Sequence, residues 1–127
     1  MNALDKIHQA YATARTYPDL AQKLIEASVQ SYTVDVSSGI ILYHLPNGQT
    51  AIHAKTANPR PIANTFSQEL TIKAIRDNQQ GKTDYPTFMT DIAEAGVRFY
   101  DAILTGPSKR VVYIGIGGSY DELIPIN

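Results

Sequence analysis

Three side chains in the first half of the sequence have the donor types of a metal centre: Asp35, His44 and His53. Two imidazoles and a carboxylate offer the nitrogen and oxygen atoms that zinc and similar divalent ions take. The spacing brings them together if Asn47-Gly48 forms a two-residue hairpin turn. Leu42 then opposes His53, His44 opposes Ala51, and both histidines share one face of a sheet. A second two-residue turn at Ser38-Gly39 sets Asp35 opposite Leu42 on that face. No ligand-spaced motif accompanies the three, so the residues favour two ordinary half-exposed strand histidines, and no cofactor is implied.

Tyrosine is the other residue type with a pattern. Tyr17, Tyr32 and Tyr43 recur as Tyr85, Tyr100 and Tyr113, two matched sets that could line a ligand groove or a partner surface with a large apolar body and one hydroxyl each. Core packing with the hydroxyl at the rim is the plainer reading. Glu26 and Glu94 also recur, but helical spacing puts both on a polar face, where solvated glutamates are expected rather than an acid-base pair. Gly115, Gly117 and Gly118 lack the following helix, the later glycine and the lysine of phosphate-binding loops, which leaves a hairpin turn.

Composition narrows the classes. The chain has 127 residues, 43% hydrophobic and 18% charged, which describes a globular protein with one ordinary core. Eleven Lys and Arg against 12 Asp and Glu leave no field that would draw it to phosphate backbones or anionic lipid. Nucleic-acid binding is disfavoured further because a helix pair over 5 to 27 carries only Lys6, Arg15 and Lys23 as cations. Cysteine is absent, which excludes disulfides, thiolate catalysis and Cys-ligated metal. No run has the length of a membrane span and no basic-then-apolar leader opens the chain, so a cytoplasmic protein is expected.

The elements that position these residues come from an internal repeat. Tyr17 to Val36 lies 68 residues before Tyr85 to Leu104, with six of twenty positions identical: Tyr17, Pro18, Glu26, Ala27, Val29 and Tyr32 match Tyr85, Pro86, Glu94, Ala95, Val97 and Tyr100. Ile7 with Ile75 extends the match upstream; a two-residue insertion near Gly106-Pro107-Ser108 then moves the offset to 70, aligning Tyr43 with Tyr113. Apolar spacing predicts helices over 3–15 and 66–80, the second opened by a Thr65–Gln68 capping box and stopped at Gly81. Tyr-Pro opens a second helix in each copy, ended by Ser28 or Gly96. Alternating segments over 29–36, 40–45 and 49–55, and again over 97–104, 110–115 and 120–126, predict three-stranded meanders, the latter with a Gly117-Gly118 turn. The expected fold is α+β: a tandem duplication of a helix-helix-three-stranded antiparallel meander, with helices packed on antiparallel sheet. Repeats 3–55 and 66–126 form a single compact domain, 1–127, joined by the Pro-containing linker 57–64.

The pattern YP-x-[LF]-x-x-[LI]-x-EA-x-V and the stretch GKTDYPTFMTDIAEAGV at 81–97 resemble the YdfO-like and YbcV-like family of uncharacterised small bacterial and prophage proteins, some labelled phage envelope proteins. The resemblance covers nearly the whole chain. It implies an α+β fold and a phage or mobile-element connection, and it transfers no catalytic or binding residue.

One further pattern bears on function. Ile40, Leu42, Phe99, Ile103, Val112 and Ile114 alternate onto the second face of the expected sheet, where a one-sided meander carries polar residues. That face is expected to pack between the repeats or to contact another chain. The sequence therefore favours a non-enzymatic interaction protein that binds a partner or forms a homodimer. The alternative is a small-molecule or metal-binding protein, possibly a hydrolase, with its site at the first meander or between the repeats.

Overall fold

The computed structural model describes residues 2–53 and 59–124. The expected ends of the third and last strands, and the start of the linker, lie outside them. The elements run α1 (Ala3–Thr13), α2 (Tyr17–Glu26), β1 (Ser31–Asp35), β2 (Ile41–His44), β3 (Thr50–His53), α3 (Gln68–Gln79), α4 (Tyr85–Glu94), β4 (Val97–Ile103), β5 (Arg110–Gly115) and β6 (Gly118–Leu123). This is an α+β chain in which the order helix, helix, strand, strand, strand occurs twice.

Local chemistry sets the helix ends. Asn2, Thr16, Ser67 and Asp84 each accept a hydrogen bond from the backbone N–H three residues on, satisfying donors that the first turn leaves free. Pro18 and Pro86 sit in the first turns, where their missing N–H is harmless. α2 and α4 both end on a left-handed residue, Ser28 and Gly96, as expected. Gly96 has a second constraint, since a Cβ there would overlap the backbone of Thr65 and Phe66. The α3 cap differs from expectation: Ser67 rather than Thr65 takes the role, because Phe66 N–H is committed to the Ile116 carbonyl and holds the chain extended up to Ser67.

The six strands form one antiparallel sheet in the order β3-β2-β1-β4-β5-β6. The two meanders join through β1 and β4, and the register there is symmetric. Thr33 pairs with Asp101, its own counterpart at the 68-residue offset, while Tyr32 pairs with Ala102 and Val34 with Tyr100. Exchanging each residue for its counterpart turns the second pair into the third. A local pseudo-twofold therefore passes between Thr33 and Asp101, whose side chains hydrogen-bond at 2.6 Å.

All four helices pack on one face of this sheet. Tyr11 of α1 meets Tyr43, Tyr17 of α2 meets Tyr32, Arg76 of α3 meets Glu122 and Phe88 of α4 meets Tyr113. Cross-strand partners share a face, so the registers place these four strand residues on the same side. Buried side chains from both halves, including Ile7, Leu24, Val34, Met89, Ile92 and Leu104, form one hydrophobic cluster between the layers.

Two hairpins depart from expectation. Asn47 and Gly48 do take left-handed conformations at the β2–β3 turn, but the strands are offset by one residue: Ile41 pairs with His53 and His44 with Thr50. Pro46 is the cause. In the expected turn the residue opposite Gln49 must both accept and donate, and Pro46 accepts from Gln49 N–H at 3.3 Å but has no N–H to return. Leu45 N–H donates to the Gln49 carbonyl instead, at 2.8 Å, so Leu45 and Pro46 together face Gln49 as a bulge. The β5–β6 turn falls at Ile116-Gly117, one residue earlier than expected, with Gly115 opposite Gly118. A Cβ on Gly115 would overlap the Gly96 carbonyl oxygen, and one on Gly118 would press into the Phe66 ring.

Candidate functional site

The slipped register changes the histidine site. Residues on alternate positions of a strand face opposite ways, so a one-residue slip sends a side chain to the other face. His53 lies across from Ile41 on the helix-covered face, while His44 lies across from Ser31 on the open face. Asp35 is on the open face too, but at the far end of β1 from Ser31, and its carboxylate accepts from the Ser38 N–H and hydroxyl. The expected grouping of Asp35, His44 and His53 therefore does not form. Among the described residues no three His, Asp or Glu side chains stand together in a metal-binding arrangement.

His53 has a different companion. Its ring meets that of His8 on α1 edge to face, with centroids 5.8 Å apart. The repeat explains the meeting. His8 corresponds to Arg76 at the 68-residue offset, and His53 corresponds in register to Glu122, since Ile41 pairs with His53 as Val111, its counterpart, pairs with Glu122. In the second half these positions hold an ion pair: Arg76 donates to both Glu122 oxygens, at 2.6 and 3.2 Å, and Gln79 and Tyr120 donate as well. Partial burial would raise the Glu122 carboxyl, but these donors outweigh it and hold it below the usual glutamate range. His8 was not singled out in the sequence because its partner depends on the Pro46 bulge.

The tyrosines converge on the pseudo-twofold. The Tyr17 and Tyr32 hydroxyls are 2.6 Å apart, and the Tyr85 and Tyr100 hydroxyls, their counterparts, face each other closely enough for each to shift the other's ionisation. The rings of Tyr32 and Tyr43 lie 5.8 Å apart and those of Tyr100 and Tyr113 5.3 Å apart. Burial raises the phenols of Tyr17 and Tyr43 to about 12, and those of Tyr32, Tyr100 and Tyr113 well above the ordinary value. All are neutral near pH 7. Tyr32, Tyr43, Tyr100 and Tyr113 are buried and present no surface; of the six expected residues, only Tyr17 and Tyr85 reach solvent, Tyr85 being 44% exposed. The set is a symmetric core cluster, joined by Tyr11 through a hydrogen bond from Tyr43 at 3.1 Å.

The open face of the sheet carries what the sequence placed there. Leu42, Phe99, Ile103, Val112 and Ile114 all fall on it by register, with Ile40 beside them opposite Asp35. No described helix covers them. Ile52 is 58% exposed and Leu123 69% exposed on the same face. Because both meanders belong to one continuous sheet, this face does not pack one repeat on the other. Two shallow hollows elsewhere, of about 240 and 380 Å³, lie beside α1 and α2 and involve none of the tyrosines. Among the described residues no helix is long and apolar enough to cross a membrane.

A family model described as a protein of unknown function, DUF1398, matches residues 5–114. The chain belongs to that family. The match spans both repeats and so takes in the tyrosine cluster, the His8–His53 contact and most of the open face. Comparison with curated proteins finds no match.

Proposed function

We propose that this member of the DUF1398 family is a non-enzymatic interaction protein that docks through the open face of its sheet, first of all onto a second copy of itself. The observation that supports this reading is the uncovered apolar surface: a six-stranded sheet with helices on one side and Ile40, Leu42, Ile52, Phe99, Val112 and Ile114 on the other. Sheets with one face in water normally carry polar residues there; here exposed apolar side chains flank a polar centre at Thr33 and Asp101, and exposed apolar groups of this kind mark contact surfaces. Two such faces can stack about 10 Å apart with interdigitating side chains. On the resemblance to the YdfO-like and YbcV-like proteins, the proposed setting is a phage or mobile element.

The test is solution mass by light scattering across a concentration series, for the natural protein and for Phe99→Lys and Ile114→Lys. A dimer that each substitution weakens by about tenfold or more supports the reading. A protein that stays monomeric at every concentration and captures no partner removes it.

A further inference from the structure

We infer that His8 and His53 form a binding site for one borderline divalent transition-metal ion of the zinc, copper or nickel kind, independent of the docking face. The fold brings the side chain at this helix position against the side chain at this strand position in both halves. The second half satisfies the contact with opposite charges, Arg76 against Glu122. The first half sets two imidazoles there, 5.8 Å apart between centroids and 81° between planes. Two neutral imidazoles cannot make an ion pair with each other, but each offers a nitrogen lone pair, and a shared cation uses both.

The separation of the rings, though not their edge-to-face orientation, is close to what such an ion needs. A metal–nitrogen bond of about 2.0–2.1 Å to each ring, with the bonds at a tetrahedral angle, puts the centroids roughly 5 Å apart. Both in-plane lone pairs must point at one ion, so binding turns at least one ring out of its present edge-to-face contact. His8 is exposed and His53 is half-buried, so an ion can enter without opening the core. No third His, Asp or Glu joins them among the described residues. Water then completes the coordination, and the chemistry selects ions that prefer imidazole over carboxylate, excluding magnesium and calcium.

The experiment is calorimetric titration of untagged protein with zinc, copper(II) and nickel chlorides, repeated for His8→Gln, His53→Gln and His44→Gln, with circular dichroism to verify folding. One ion per chain is expected for at least one of these metals, weakened about tenfold or more by His8→Gln and by His53→Gln and unchanged by His44→Gln, which lies on the other face. Histidine ring resonances of the natural protein followed by NMR supply a second readout: those of His8 and His53 shift or broaden with metal and that of His44 does not. Absence of binding by all three metals, or binding that survives both site substitutions, overturns the inference. Calcium or magnesium binding at the same two rings would overturn the assigned class.

Discussion

At the scale of single residues, the tyrosines show how a repeated side chain can look like a surface and be a core. A buried hydroxyl needs a partner, and two pairs of tyrosines supply one to each other: Tyr17 with Tyr32, Tyr43 with Tyr11. A typical hydrogen bond of this kind contributes about 1 kcal/mol net, and its loss would leave a stranded hydroxyl. The buried phenols also make stability depend on alkaline pH. In the unfolded chain they ionise near 10, whereas in the folded protein Tyr17 and Tyr43 are raised to about 12 and burial holds Tyr32 and Tyr100 well above the ordinary value. Below about pH 10 the phenols are protonated in both states and the stabilisation is fully present. Above it the unfolded chain holds fewer protons, so stability falls as pH rises, by up to about 1.4 kcal/mol per pH unit for each such tyrosine. Urea midpoints measured from about pH 9 to about pH 11, with tyrosinate absorbance followed in parallel, should drop steeply over that range. A flat midpoint would contradict the buried cluster.

At the scale of elements, Pro46 decides which face His53 joins, and the cause is a single missing donor. Deleting Pro46 should leave Leu45 opposite Gln49 with Asn47-Gly48 as an ordinary two-residue turn, so the register of Ile41 with His53 survives. The expected outcome is a stability change within about 1 kcal/mol and unchanged cross-strand Hα–Hα contacts by NMR. A slip to Leu42 opposite His53 would show that something other than Pro46 sets the register. The same element marks the limit of what could be read from the sequence. Tyr-Pro helix starts, left-handed stops at Ser28 and Gly96, and the alternating apolar positions of β1, β2, β4 and β5 each depend on neighbours in the chain, and these were legible. Single hydrogen-bond commitments were not. Leu45 N–H to the Gln49 carbonyl moved a face, and Phe66 N–H to the Ile116 carbonyl moved the α3 cap. The His8–His53 contact went unread because it requires both the repeat and the bulge.

At the scale of the whole molecule, the register between β1 and β4 suggests that the two halves stand to each other as two chains of a dimer would. Each half leaves one strand, β1 or β4, to be paired by the other, and both contribute to one hydrophobic cluster. Half-chains of about 60 residues are marginal on their own, and each of these leaves a central strand unpaired, so residues 1–58 should be unfolded when dilute. When concentrated they should fold as a symmetric dimer, because two β1 strands crossing at Thr33 would set Tyr32 against Val34, a pairing close to that of Val34 with Tyr100. Residues 59–127 should self-pair less well. Two β4 strands crossing at Asp101 would face carboxylate against carboxylate, where the natural protein sets Asp101 against the Thr33 hydroxyl. Mixing the two fragments should therefore favour the mixed pair over either self-pair, as measured by light scattering and by concentration-dependent melting of each fragment and of the mixture. A fragment that melts cooperatively as a monomer would mean that each half holds its own core. The symmetric β1–β4 register would then record only how two independent units came to be joined.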